Sequence, residues 1–255
     1  MSLLALIILT ACGNRDNEGK RAENGTNAPA ALPSNGVAPV LLFNGAGAAR
    51  SDVAAIGRIL DSHHINYFTV DSDRLNEMGA SQLTAYRLLI IPGGNFIDLG
   101  NNLNSGATAN VRGAVQHGLN YLGICAGAFF AGNSPANGLN LTSGVKFGFY
   151  SAEARRIRKA VVPITVAAGP ALDQYWEDGP ELSGWGAVVG KYPDGTPAIV
   201  EGNSGRGWVV LIGVHPEAPA GWRGGMMFTT PAADDEAYAW MLIEAALNRT
   251  SLPHF

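Results

Sequence analysis

Short apolar runs alternate with amphipathic segments along most of the chain. Runs rich in Val, Ile, Leu and Phe are typical of buried strands, whereas apolar residues spaced three or four apart indicate helices. On this basis we predict strands at 39–43, 66–70, 88–91 and 119–124, and helices at 52–62 and 108–117. Strands that alternate with helices are typical of a parallel sheet covered on both faces. The pattern therefore predicts an α/β fold with a doubly wound, mostly parallel sheet.

A second pattern interrupts this alternation between residues 139 and 206. The apolar run 161–166 and the surrounding Gly and Pro residues indicate short antiparallel strands, and hence a β-rich insertion before the last predicted strand. In a parallel sheet, ligands collect at the carboxyl ends of the strands. Gly45, Gly94, Cys125 and His215 all fall at such ends.

Cys125 follows a short apolar strand and stands in a turn of small residues, with Gly123 before it and Gly127 after it. Glycines on both sides allow a strained turn that holds a side chain clear of the sheet and starts a helix behind it. A thiolate at a helix N-terminus is favoured by the helix dipole. The turn therefore predicts a nucleophile, although a cysteine considered alone is more often an inert core residue.

The apolar run 209–214 ends at His215, and Glu217 follows two residues later. Such a glutamate can bind one ring nitrogen and leave the other free to act as a base. After the strand at 88–91, Gly94 can aim its backbone N–H at a developing oxyanion, with the N–H of Ala126 as a second donor. A lone histidine or a Gly-Gly turn is common, but the three features together predict a catalytic site.

These residues resemble a known superfamily. The turn 123–127 with His215-Pro216-Glu217 is similar to the class I glutamine amidotransferase-like proteins, whose Cys-His-Glu triad has this chain order. The stretches 91–94, 111–115 and 121–130, continued at 175–180 and 192–198, resemble the N-terminal domain family of biotin–protein ligases, including its stand-alone bacterial forms. The resemblance covers roughly 37–249 and implies a flavodoxin-like sheet with Cys125, His215 and Glu217 as catalytic residues.

The resemblance implies a type of site but no substrate. We find no biotin ligase domain and no synthetase partner in this chain, so neither biotin ligation nor ammonia transfer is implied. We expect a thiol-dependent hydrolase that attacks an amide or related acyl bond of a small molecule or peptide. The alternative is a ligand-binding or sensing module that keeps the fold without turnover.

Further residues are assigned to substrate binding on weaker grounds. Gly45, Arg50 and Asn95 lie in turns at the rim of the expected crevice, and Arg50 is a candidate anchor for an anionic group. In the insertion, Trp176 and Asp178 either reach over the thiol or form a packed hairpin with an aromatic plug.

No cofactor or metal is expected. The turn 44–50 is a weak match to a dinucleotide loop because Arg50 stands where the third glycine belongs. His63 and His64 are adjacent and point apart on a helix, and His215 with Glu217 lacks a third ligand at a suitable spacing.

Composition narrows the class of partner. The chain has 255 residues, 47% of them hydrophobic, which is enough to bury a sizeable core. Its net charge of −4 argues against a nucleic-acid partner.

The N-terminus resembles a bacterial lipoprotein signal. An apolar stretch too short to span a bilayer ends in Leu9-Thr10-Ala11-Cys12. We assign 1–12 to the signal and lipobox, 13–36 to a disordered tether and 37–255 to the amidotransferase-like domain. The implied location is the cell envelope, with the domain anchored to a bacterial membrane through lipid on Cys12 and facing the periplasm.

The lipobox makes a direct prediction. We expect cleavage before Cys12 and recovery of the product in the membrane fraction, because lipid on that residue inserts into the bilayer. Cys12→Ser should remove the protein from that fraction or leave it unprocessed, and Cys125→Ser serves as the matched control. Intact-mass analysis checks this, and an unmodified chain starting at Met1 would contradict it.

Overall fold

A computed structural model describes residues 40–150 and 157–255. All of these residues belong to one compact unit of the chain. The predicted signal, the predicted lipidation site at Cys12 and the predicted tether at 13–36 lie outside the described residues. Within the described part, no helix combines the length and the apolar character needed to cross a membrane.

The strands follow the predicted order. Most of the bounds predicted from the sequence are correct to within one or two residues. The strands of the described ranges are β1 (Val40–Phe43), β2 (Tyr67–Val70), β3 (Leu88–Ile91), β4 (Asn120–Ile124), β5 (Gly148–Phe149), β6 (Lys159–Val166), β7 (Leu172–Glu177), β8 (Pro180–Glu181), β9 (Ala187–Lys191), β10 (Pro197–Ser204) and β11 (Gly207–Ile212).

The helices pack on the two faces of the sheet or connect its strands. The two helices predicted from periodicity are present, and each begins two or three residues earlier than expected. The helices are α1 (Arg50–Ser62), α2 (Ser72–Glu77), α3 (Ala80–Leu83), α4 (Phe96–Asn102), α5 (Ser105–Gln116), α6 (Ala126–Ala131) and α7 (Ala232–Asn248), with a 3-10 turn at Ala220–Arg223.

One nine-stranded sheet organises the domain, in the order β2-β1-β3-β4-β11-β10-β9-β6-β7. The first five strands are parallel, as predicted for a doubly wound sheet. The remaining four pair antiparallel and form the predicted β-rich insertion. The fold class is therefore confirmed. Most of the insertion extends the sheet that carries the site, because β10 pairs directly with β11, whereas β5 and β8 form a separate two-stranded sheet.

The central strands are buried on both faces, which explains their unbroken apolar character. Along β1, Val40 and Leu42 pack into one hydrophobic core, while Leu41 and Phe43 pack into the other. Helices α1 and α7 contribute to the first core, and α5 and α6 to the second. Because both faces are covered, the carboxyl edge of the parallel strands is where their loops can form an open site.

Helix α6 lies against the ends of β3 and β4 at an unusually short distance. A Cβ atom added to Gly127 would lie 2.0 Å from the carbonyl oxygen of Ile91, and one added to Gly123 would lie 2.6 Å from the backbone of Gly127. The N–H of Gly127 also donates to the carbonyl of Pro92. The two glycines of the Cys125 turn are therefore needed for packing.

Gly127→Ala should destabilise the domain by about 1–3 kcal/mol, because the new methyl group overlaps a backbone oxygen that cannot move alone. Gly113→Ala is the matched control, since an added Cβ there meets nothing within 4 Å. In this helical position alanine should stabilise by about 0.5–1 kcal/mol. Urea denaturation measures both changes, and equal effects of the two substitutions would contradict the packing argument.

Candidate active site

Cys125 occupies the turn between β4 and α6 in a backbone conformation that is rare for a residue with a side chain. Its φ is 48° and its ψ is −102°. Conformations of this kind cost about 1–3 kcal/mol and persist where surrounding contacts impose them. Here the N–H of Cys125 donates to the carbonyl of Ile212 at 2.7 Å. The predicted elbow is present, and β11 holds it in place.

His215 and Glu217 stand just beyond the end of β11. The Nδ1 atom of His215 lies 2.9 Å from Oε1 of Glu217, and their side chains are 5% and 0% exposed. A proton on Nδ1 allows the ring to donate a hydrogen bond to Glu217, and Nε2 is then available to a different partner. Cys125 lines the same cavity as His215 and helps to raise the pKa of its ring. The structure therefore brings together the three residues that the sequence predicts as catalytic.

Burial and neighbouring charge act in opposite directions on these groups. Burial lowers the pKa of His215, but the nearby side chains of Glu217, Cys125 and Asp52 together raise that pKa well above its usual value. Burial raises the pKa of Glu217, His215 lowers it, and the charge of Asp52 raises it further. The imidazolium form of His215 is favoured because acidic groups surround it.

Asp52 is a member of the site that the sequence did not indicate. It lies in the first turn of α1, is buried, and places Oδ1 3.2 Å from Nδ1 of His215. Ser51 donates a hydrogen bond to its other oxygen. The available signal was its position after the first strand, in the turn that faces the carboxyl edge of the sheet.

Asp52 also supplies the third candidate metal ligand that the sequence argument found missing. Donor atoms of Asp52, His215 and Glu217 lie within 4.8 Å of one another, so a third group is present although none follows at a recognisable sequence spacing. These three residues could surround a cation, and hydrogen bonding to Nδ1 accounts for the same short distances. His63 instead stacks on Trp240.

Two backbone donors lie where the oxyanion was predicted. Within residues 40–150 and 157–255, the N–H groups of Gly94 and Ala126 have no protein acceptor. Gly94 has a φ of 142°, and an added Cβ would lie 2.0 Å from the carbonyl oxygen of Gly47, so only glycine fits there. Gly94 lines the cavity beside Cys125. Ala126 begins α6 next to the thiol.

A cavity of about 460 Å³ opens onto the thiol. One wall comes from the parallel half of the sheet and includes Ser51, Asp52, Gly94, Cys125 and His215. The other comes from the insertion and the loop after β11, and it includes Lys159, Tyr175, Glu177, Asp178 and Trp222. The rings of Tyr175 and Trp222 lie 5.8 and 6.0 Å from that of His215.

Strand β7 contacts the site through its backbone. The carbonyl of Tyr175 accepts from the N–H of His215 at 2.8 Å, and the carbonyl of Glu177 accepts from Sγ of Cys125 at 3.4 Å. On the same side of the strand, the N–H of Asp173 donates to Oγ1 of Thr230. The insertion is therefore hydrogen-bonded directly to Cys125 and His215.

Side chains on the insertion wall are already paired with one another. Glu177 binds Lys159 at 3.0 Å and the hydroxyl of Tyr175 at 2.7 Å. Asp178 pairs with Arg158 at 2.9 Å through one oxygen, while its other oxygen is buried with no hydrogen-bond partner. Residues in this stretch were expected either to reach over the thiol or to form a packed hairpin. Tyr175, Glu177 and Asp178 line the cavity, in agreement with the first interpretation.

The remaining predicted substrate-binding residues lie away from the cavity lining. Trp176 is fully buried, donates to the carbonyl of Gly179 and packs on Tyr150, so it is the aromatic plug of the hairpin. Asn95 caps α4, and Gly45 packs against Ser72. Arg50 is exposed at the start of α1. Direct contact between Trp176 and a substrate is excluded by this burial.

A comparison with family models supports the sequence resemblance over part of the chain. The model described as biotin-protein ligase, N terminal, matches residues 38–139. That range includes Asp52, Gly94 and Cys125, whereas His215 and Glu217 lie beyond it. The likeness suggested at 175–180 and 192–198 is also outside the match and stays a prediction. No curated protein gives a significant match.

Solved structures with the same fold cover most of the chain. A crystal structure of glutamine amidotransferase is 20% identical, with a TM-score of 0.55, over 83% of this chain and 99% of that one. A proposed GMP synthase component from Thermoplasma acidophilum is 12% identical, also with a TM-score of 0.55, over 85% and 98%. At these identities the likeness shows the fold alone.

The resemblance noted in the sequence is thus confirmed: residues 38–139 match the N-terminal domain family of biotin–protein ligases, and the chain has the fold of the class I glutamine amidotransferase-like proteins.

Proposed function

We propose that this protein is a thiol-dependent hydrolase that attacks an amide or related acyl bond through Cys125. The observation that carries this proposal is the position of His215, which lines the same cavity as Cys125 and lies 2.9 Å from Glu217. A nucleophile, a base and an orienting carboxylate in contact are the arrangement that acyl transfer requires. The cavity beside the thiol supplies room for a substrate.

In the first half of the reaction, Cys125 has given its proton to His215, whose protonated form the site favours, and the resulting thiolate attacks the carbonyl carbon. The amides of Gly94 and Ala126 donate to the oxygen that becomes negative. When the carbon–nitrogen bond breaks, His215 gives its proton to the leaving amine, and a thioester remains on the sulfur.

In the second half, water attacks the thioester carbonyl and His215 takes a proton from that water. The carbon–sulfur bond breaks, the carboxylic acid product leaves, and Cys125 regains the proton from His215. Glu217 stays hydrogen-bonded to Nδ1 throughout, so that the other ring nitrogen faces the reacting atoms.

The cavity limits the class of substrate. A volume of about 460 Å³ suits a small molecule or a short peptide end. Its walls carry the carboxylates of Asp52, Glu177 and Asp178 against the single ammonium of Lys159, which is already paired. The carboxylates of Glu177 and Asp178 on the insertion wall are acceptors for N–H groups. We therefore expect a small amide that presents hydrogen-bond donors to the insertion wall.

The proposed envelope location agrees with the cysteine content. The sequence has two cysteines, and Cys125 is the one within the described residues. If Cys12 carries lipid on its sulfur, Cys125 has no partner for an intramolecular disulfide. The thiol would then stay reduced in an oxidising compartment.

The proposal predicts a covalent adduct on Cys125. Incubation with a chloroketone analogue of a small amide should add one label per chain, and peptide mapping should place it on Cys125. Cys125→Ala should remove the label while leaving the melting temperature nearly unchanged. His215→Gln should slow labelling because the base is lost. Profiling against an amide library, with the same variants as controls, should then identify a hydrolysed substrate.

A protein that is folded and reduced but forms no adduct with any probe, and hydrolyses no amide, would contradict the proposal. The ligand-binding module would then explain the cavity. In that case Cys125→Ala would leave ligand affinity almost unchanged, as measured by calorimetry.

A further inference from the structure

The imidazole of His215 faces two carboxylates at the same nitrogen. Nδ1 lies 2.9 Å from Glu217 and 3.2 Å from Asp52, and both acidic side chains are at most 6% exposed. The two residues come from distant parts of the chain, Asp52 from α1 and Glu217 from the loop after β11. The hydrogen-bonding scheme of a simple triad uses one of these contacts and leaves the other unexplained.

Gly93 shows that the contact between Asp52 and His215 is built into the backbone. A Cβ atom at this position would lie 2.2 Å from Oδ1 of Asp52 and 2.5 Å from Cε1 of His215. Any other residue would place a carbon between the two side chains. Gly93 therefore keeps open the space in which the carboxylate meets the ring.

Nδ1 carries a single proton, so one carboxylate at a time accepts it in good geometry. In the structure Glu217 is that acceptor, and Oδ1 of Asp52 is left buried without a hydrogen-bond partner. A buried carboxylate without a partner is costly unless a positive charge lies close by. The imidazolium of His215 is the group that fills this role, because its nitrogen is 3.2 Å away.

We propose that Asp52 is a second positioning residue for His215, and that the ring is held between Asp52 and Glu217 with either carboxylate able to accept the Nδ1 proton. The catalytic consequence rests on the proposed function, whereas the contact itself does not. Asp52 stands at the N-terminal turn of a 13-residue helix, where a negative charge is favoured. The unit that orients and charges the base then has two acids instead of one.

A redundant pair has a specific signature in a double-mutant cycle. Glu217→Ala alone should leave the Nδ1 proton of His215 hydrogen-bonded and its pKa still raised, because Asp52 takes over as acceptor. Asp52→Ala alone should behave similarly through Glu217. The double variant should lose both, and the pKa of His215 should fall below about 6.5, since burial then acts without compensation.

Proton and ¹⁵N NMR of His215 as a function of pH measure this directly, with His215→Gln used to assign the signals. The groups that face the ring are Asp52, Glu217 and Cys125, with Tyr175 and Trp222 beside it. Cys125→Ala in all samples removes the thiol from the titration. Dialysis against a chelator beforehand removes any bound cation that would compete for the same nitrogen.

The matched control is Asp61→Ala, which removes an exposed carboxylate on the same helix α1. It should change neither the chemical shifts nor the pKa of His215. Glu217→Ala with Asp52 intact is informative by itself, so the proposal remains testable if a variant of Asp52 fails to fold. If the Nδ1 proton becomes exchangeable and the pKa of His215 drops in that single variant, Asp52 is not a second acceptor and the proposal is overturned.

The rate of Cys125 alkylation by iodoacetamide gives a second readout in the native-cysteine background. If the two carboxylates share one role, the fold decrease in alkylation rate for the double variant should exceed the product of the fold decreases for the two single variants. If their effects are independent, it should equal that product. This outcome is separable from the proposed function. If the NMR result is as expected but no acyl adduct forms, the shared role of Asp52 and Glu217 stands and the proposed hydrolase function is contradicted. If an adduct forms but the NMR result is absent, the hydrolase proposal stands with Glu217 as the positioning residue and without Asp52.

Discussion

The close approach of α6 to the ends of β3 and β4 is the constraint on which the site depends. With no side chain on Gly127, the helix begins against the carbonyl of Ile91, and this fixes where the preceding residue can lie. Cys125 then adopts a strained positive φ, and the hydrogen bond from its N–H to the carbonyl of Ile212 stabilises this conformation. The direction of the thiol is therefore set by packing of glycine and backbone, before any polar contact is made.

The electrostatics of the site follow from placing acids and a base where water is scarce. Asp52, His215 and Glu217 are all nearly excluded from solvent, and the positive ring is the common partner of both carboxylates. Burial alone would favour the neutral forms of all three, so each charge is stabilised mainly by the others. Such a cluster contributes little to net stability and instead fixes the orientation and protonation of the imidazole.

The features predictable from the sequence are those encoded locally. The strand at Leu88–Ile91, the glycines around Cys125 and the His215-x-Glu217 spacing each carry their own signal within a few residues, and the structure places them at one edge. Asp52 has no such signal, because its meeting with His215 depends on the order of strands in the sheet.

The insertion shows a second limit of sequence analysis. Alternation along β7 decides which side chains face the cavity, and a shift of one residue reverses the assignment. Tyr175 and Glu177 line the cavity, whereas Trp176 between them points into the core. The register of β7 depends on its pairing with β6, which composition and turn signals do not specify.

Strand β7 is the last strand of the sheet, and its outer backbone groups would normally be open to pairing with another molecule. Here those backbone groups are hydrogen-bonded within the domain. The N–H of Asp173 donates to Thr230, and the carbonyls of Tyr175 and Glu177 accept from His215 and Cys125, respectively. The loops that carry Cys125 and His215 therefore also cover a sheet edge that could otherwise pair with another molecule and aggregate. Loss of the Cys125 turn or of the loop that carries His215 would expose the outer edge of β7 to pairing with another molecule. Damage to the proposed catalytic residues and self-association of the protein are therefore physically linked.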